Sequence, residues 1–189
     1  YGGFPPKDLR HKFLMAQESE CHDITSPDFP AEIEIIPLHG HIFDMVGYRT
    51  PDDIVFLADC VSSAATLEKY KIGYLYDVQA YLDTLDYVDT LTAKLFVPSH
   101  TEPTEDIHEL TEINRRSVLE VQDKILSICV EPMNFEAILQ RIFTDYALTL
   151  NFEQYALIGS TLRSYLSWLL DSGKLAVSFE DNMLLWKTV

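Results

Sequence analysis

Apolar and polar positions along this chain follow two different periods, and the change between them marks out the elements. Ile33-Glu34-Ile35-Ile36-Pro37 alternates and then turns apolar, as a strand does. After the corner His39-Gly40-His41 comes a second strand-like run, Met45-Val46-Gly47-Tyr48. Thr50-Pro51-Asp52-Asp53 is turn chemistry, because proline presets the bend and aspartate bonds its own backbone. Ile54-Val55-Phe56-Leu57-Ala58 is then continuously apolar, the pattern of a strand covered on both faces. Strand, corner, strand, turn and strand predict a sheet.

Beyond it the period lengthens. Helices are expected over 62–70 and 77–87, followed by a short buried strand, Leu95-Phe96-Val97, that ends at Pro98-Ser99-His100. Ile107, Leu110, Ile113, Val118, Val121, Ile125 and Ile128 recur at helical spacing and predict a long amphipathic helix over 104–129. Glu105, Asp106 and Glu109 fall in its first turns, where the helix dipole favours acids. Glu131-Pro132 breaks that helix, since the residue before a proline avoids the α region. Two more helices, over 134–147 and 152–170, lead to a left-handed cap at Asp171-Ser172-Gly173. Strand-like runs over 174–179 and 183–186 flank the turn Glu180-Asp181-Asn182. Two helices followed by a hairpin is a winged-helix pattern, so the chain is divided into 1–130 and 131–189. The first thirty residues are rich in Pro, Asp and Ser, with one helical stretch over 6–18.

Composition narrows the partners. With 189 residues, 47% hydrophobic and 23% charged, the chain suits one core and a small appendage rather than disorder. No apolar run approaches the roughly 18 residues of a spanning helix, so a soluble protein is expected. The net charge of −16 repels phosphate backbones and anionic membranes, and neither nucleic acid nor membrane is expected as a partner. Between Phe152 and Leu170 the only basic residue is Arg163, which argues further against phosphate binding. Cys21, Cys60 and Cys129 are odd in number and far apart, as in a reducing cytoplasm.

Three positions carry candidate chemistry: His41, Asp59 and His100, each expected just where a strand ends. Imidazole suits zinc or iron, and a carboxylate can bridge two cations. Singly, such residues are ordinary surface or turn formers. Their order and context change this. Ile35-Ile36-Pro37-Leu38-His39-Gly40-His41 with Val46-Gly47-Tyr48, then Phe56-Leu57-Ala58-Asp59, then Phe96-Val97-Pro98-Ser99-His100 resemble three successive segments of the metallo-β-lactamase superfamily. The resemblance spans about residues 30–130. It implies an α/β (α+β) fold, half of an αββα sandwich followed by the winged-helix-like domain. It implies His41 on one metal, His100 on a second, and Asp59 bridging both and orienting the nucleophile.

Two departures matter. Ala58 stands where the family usually has Gly, a mild change for backbone approach. The family's His-x-His-x-Asp-His run is not found here, since His11 and His22 stand alone. Zinc, with iron or manganese as alternatives, is therefore expected to bind weakly to this chain by itself. His39 is read as exposed or supporting, Cys60 as core and His108 as solvent-facing.

The resemblance implies a metal-dependent hydrolase of a small-molecule substrate, with ester or thioester favoured. A non-catalytic binding or assembly module retaining the fold is the alternative. The chain opens at Tyr1 with its first methionine at Met15, as a processed, trimmed or excised piece would. Half a sandwich exposes an inner sheet face, so association is expected, either with a second copy as a dimer or with an N-terminal half.

Overall fold

The computed structural model describes residues 6–10 and 23–189. Of the helix expected over 6–18, Lys7–Arg10 (α1) is helical, and the remainder lies outside the described residues. The predicted sheet is present. β1 (Glu34–Pro37), β2 (Val46–Arg49), β3 (Ile54–Ser62) and β4 (Leu95–His100) lie side by side in that order. The first three are antiparallel, and β4 runs parallel to β3. A parallel joint needs a long crossover, here made by α2 (Ala64–Tyr70) and α3 (Val78–Asp89).

One face of the sheet is dry. Ile36, Val55 and Leu57 are 0% exposed and Phe96 2%. They are met by a helical layer in which α3 contributes Val78, Leu82 and Leu85, and α4 (His108–Ile128) contributes Val118, Val121 and Ile125. Each such side chain contributes roughly 1.5–3 kcal/mol on leaving water. The opposite face is different. Register pairs Pro37 with Val46, Ile35 with Tyr48, Tyr48 with Phe56, Phe56 with Val97, and Ile54 with Leu95. All eight of these residues are apolar or aromatic, and none is buried.

Element boundaries differ from expectation in two places. β3 continues through Asp59 to Ser62 and β4 through His100, so both outrun their apolar cores. The long helix begins at His108, not Thr104. Thr104 instead exchanges both backbone bonds with Phe96, at 2.8 and 3.0 Å, and so extends the sheet edge. Asp106 then accepts from the His108 amide (3.0 Å) and starts the helix. Glu105 and Asp106 therefore precede the helix, leaving Glu109 in its first turn.

α5 (Phe135–Asp145) and α6 (Phe152–Asp171) fall close to the predicted ranges. Gly173, at φ 71°, closes α6, and the Lys174 amide reaches back to the Leu169 carbonyl at 2.9 Å. β5 (Leu175–Glu180) and β6 (Met183–Thr188) form the hairpin. Its two-residue turn, Asp181 (φ 48°) and Asn182 (φ 63°), matches the right-handed strand twist. Leu162, Tyr165, Leu166 and Leu169 of α6 are buried as expected, while Tyr155 and Trp168 are partly so. These helices share one continuous hydrophobic cluster with the sheet's helical layer. No helix of the described residues is long and apolar enough to cross a membrane.

Candidate metal centre

His41 is positioned by the start of α3. The preceding Gly40 has φ 110°, and a Cβ there would overlap the Tyr81 backbone, so only glycine fits. Its carbonyl accepts from the amides of Tyr76 (2.9 Å) and Asp77 (3.0 Å) just ahead of the helix. Thr84 Oγ1 donates to the His39 carbonyl at 2.8 Å. The glycine at position 47 serves the same corner, because a Cβ there would overlap the Phe56 carbonyl. His41 meets the Tyr74 ring edge-on, with centroids 5.7 Å apart.

Asp59 lies inside β3 rather than after it, and the strand is irregular at this point. Ala58 adopts φ 45°, and the β3–β4 register shifts on either side of it. This revises the reading of Ala58. The departure from glycine bears on backbone torsion, since the left-handed region disfavours any Cβ. The stretch after Asp59 is clamped. Asn114, on α4 and 3% exposed, accepts from the Ser62 amide at 3.0 Å and donates to the Ser62 carbonyl at 2.8 Å. Tyr81 Oη donates to the Cys60 carbonyl at 2.8 Å and lies 3.3 Å from Asn114 Oδ1. Cys60 itself is fully buried, and burial pushes its thiol up to about 12, so it is an inert core residue.

The three predicted residues converge. His41 Nε2 is 3.6 Å from Asp59 Oδ2, and His100 Nε2, at the end of β4, is 3.3 Å from Asp59 Oδ1. Each imidazole thus faces its own carboxylate oxygen. Among the described residues, no group of three or more His, Cys, Asp or Glu side chains is placed to hold a metal ion. The arrangement is that of a carboxylate shared between two imidazoles, with exposures of 23% for His41, 39% for Asp59 and 51% for His100. Burial lowers the His41 pKa, opposed by the Asp59 charge and a hydrogen bond with the Tyr74 backbone. The donor set, two ring nitrogens and both oxygens of one carboxylate, suits borderline divalent ions. Shared between two ions it would offer two donors to each, fewer than the three protein ligands usual for catalytic zinc.

A small cavity of about 70 Å³ opens beside the three residues, lined also by Lys71, Tyr74, Asn114 and Ser117. Lys71 pairs with Glu68. A larger cleft of about 680 Å³ lies between the start of α3 and α6, and it shares no residue with the His-Asp-His group. His39 is exposed, its Nδ1 lying 3.4 Å from the Phe43 carbonyl. His108 is solvent-facing yet bonded to Asp89 at 2.9 Å. Sequence reasoning missed Tyr81 and Asn114. Asn114 did leave a signal: it is a polar residue on the apolar stripe of α4, in step with Val118 and Val121.

No protein-family model matches the sequence, and no curated protein matches it. Solved structures do. A β-lactamase domain protein from Burkholderia ambifaria superposes with TM-score 0.71 at 15% identity, over 92% of this chain and 52% of its own. A metallo-β-lactamase family protein from Thermus thermophilus gives TM-score 0.65 at 11% identity, over 83% of this chain and 49% of its own. The chain spans about half the length of these structures. Over that half, this chain has the fold of the metallo-β-lactamase proteins.

Proposed function

We propose that His41, Asp59 and His100 form one side of a two-metal centre in a hydrolase of the metallo-β-lactamase superfamily, acting on a small-molecule ester or thioester. The observation that carries this reading is the split engagement of Asp59, one oxygen toward each histidine. Zinc fits the donors best, with iron or manganese as alternatives. Two such ions, when bound, polarise a carbonyl oxygen and lower the pKa of water. The chain's own part would be to hold them, with His41 presented from the α3 corner, His100 from the end of β4 and Asp59 from β3, where Asp59 would also orient the attacking water. The net charge of −16 works against polyanionic substrates and leaves small esters and thioesters preferred.

A non-catalytic assembly module is the second reading, favoured by the shortage of donors. We further read residues 131–189 as a winged-helix-like unit, on their order of two helices and a hairpin.

Calorimetric titration with Zn²⁺ tests the centre. Weak binding is expected for the chain, abolished in Asp59→Asn and reduced in His41→Ala and His100→Ala. Binding that is indifferent to Asp59→Asn would remove the metal centre from consideration.

A further inference from the structure

The hairpin of β5 and β6 has one edge closed and one open. On β6 the amides of Trp186 and Thr188 donate outward, to the carbonyls of Met133 (2.8 Å) and Cys129 (2.7 Å), and the Met133 amide returns a bond to the Trp186 carbonyl (3.0 Å). Antiparallel strands alternate the direction of their backbone bonds residue by residue. The odd-numbered residues of β6 therefore bond to β5, and the register Glu180–Met183, Ser178–Leu185 and Ala176–Lys187 gives them its even-numbered residues as partners. The Val189 amide, donating to the Lys174 carbonyl at 3.1 Å, continues this ladder. Leu175, Val177 and Phe179 consequently turn their amides and carbonyls to the outer edge of β5. Among the described residues no strand pairs with that edge.

An open edge is normally guarded by a proline, a bulge or a charged side chain. β5 has none of these between Leu175 and Phe179, and its register with β6 runs without a shift. From Ala176 to Glu180 the strand is exposed, Phe179 at 78%. The sequence is also complementary to itself. Turned about a two-fold axis through Val177, a second β5 sets Val177 against Val177, Leu175 against Phe179, Ala176 against Ser178 and Lys174 against Glu180. The three residues whose bonding groups face outward are thus the ones that meet as hydrogen-bonded pairs. The two charged residues of the segment, opposite in sign, lie across from each other. Leu175 belongs to the buried core, so the partner's Phe179 is laid at the edge of that core.

We propose that the outer edge of β5 pairs antiparallel with the same edge of a second copy of this chain, joining two hairpins into one four-stranded sheet. A two-fold contact closes on itself, so it gives a dimer and not a filament. Lys174 Nζ donates to Gln122 Oε1 at 2.7 Å and, as an ammonium, keeps further donors for Glu180 of the partner subunit. One pair of short strands buries less than the roughly 1,200 Å² of a standard interface. Two net charges of −16 also repel at long range. The dimer therefore forms at high protein concentration and tightens as salt screens the repulsion. It stands independently of the metal-centre reading.

Sedimentation velocity of the 189-residue chain, from low micromolar to near-millimolar concentration, is expected to show monomer giving way to dimer, more so as salt is added. Val177→Pro removes the central donor at an edge position, where proline is tolerated, and is expected to leave a folded monomer with its unfolding midpoint kept. Lys174→Glu makes the net charge more negative and Glu180→Lys makes it less so. Each is nonetheless expected to weaken the dimer severalfold, and the double exchange, which restores −16, to recover it. Under mild oxidation Val177→Cys is expected to cross-link two copies, because a hydrogen-bonded pair sets its Cα atoms about 5.5 Å apart. Ser178→Cys is not, because the same axis holds its two copies beyond the roughly 7 Å reach of a disulfide. A chain that stays monomeric throughout overturns the proposal, as does a dimer that persists in folded Val177→Pro. Glu180→Lys tightening the dimer would also overturn it, since net charge and not the strand pair would then govern association. Should Val177→Pro fail to fold, the cysteine variants decide: Ser178→Cys cross-linking as readily as Val177→Cys rules the two-fold register out.

Discussion

Ala58 holds a backbone conformation that costs an L-residue roughly 1–2 kcal/mol, and it does so immediately before Asp59. Ala58→Gly is therefore expected to stabilise the protein by about 1 kcal/mol in urea unfolding. An unchanged or lower midpoint would show that β3 does not require this torsion. Asn114 makes the opposite case. Asn114→Leu keeps the volume but strips both partners from the Ser62 backbone, each worth about 1–3 kcal/mol when left buried and unpaired. A loss of about 3 kcal/mol is expected by the same measurement. The two differ in how far the sequence announces them. His41, Asp59 and His100 are legible because each follows a short sequence run of recognisable pattern, although β3 itself continues past Asp59 to Ser62. The torsion at Ala58 is not, because only the register shift between β3 and β4 demands it. Tyr81 is equally silent, since an aromatic on an apolar helix face reads as ordinary core.

Between elements, α3 and α4 are joined by a cluster in which Asp89 and His108 are exposed and Thr111 is buried. Asp89 accepts from Thr111 Oγ1 at 2.7 Å and lies 2.9 Å from His108 Nδ1. The Asp89 partner raises the His108 pKa, while hydrogen bonds from Thr111 and then His108 lower that of Asp89. The raised histidine stabilises the fold below its unfolded pKa, and that contribution fades as pH rises through the folded value. The lowered aspartate contributes above its unfolded pKa, and that contribution fades in acid. Their overlap lies between the two. His108→Gln is accordingly expected to lower the unfolding temperature more at about pH 5.5 than at about pH 8.5, as scanning calorimetry would show. An equal effect at both would mean the pair carries no charge-dependent stability. Where the periods were clear, the elements were legible, as in α3, α5 and α6. They blurred where backbone bonding outruns hydrophobicity. Thr104 looks like a helix start, yet its exchange with Phe96 ties it to the sheet, and a polar strand end such as Ser99-His100 carries no period at all.

At the scale of the whole molecule, the net charge of −16 spreads self-repulsion over the chain, which ion pairs such as Arg49–Glu34 at 3.0 Å offset only locally. Raising ionic strength from about 0.01 to 0.15 M shortens the Debye length from about 30 to 8 Å, so the melting temperature is expected to rise. A fall would mean that local pairs outweigh the net field. The doubly apolar sheet was half legible: the unbroken run Ile54–Ala58 predicted two covered faces, yet the helical layer covers only that of Val55 and Leu57, and Phe56 on the other is 40% exposed. Tyr81 has a consequence at this scale. Its backbone is the seat for Gly40 and its hydroxyl holds the Cys60 carbonyl, so one helical residue grips both neighbours of the donor pair, the one before His41 and the one after Asp59. Any tilt of α3 carries both donors together, and their spacing behaves as a fixed gauge. In the proposed metal centre, such a gauge would favour ions by radius and would not bend to fit them.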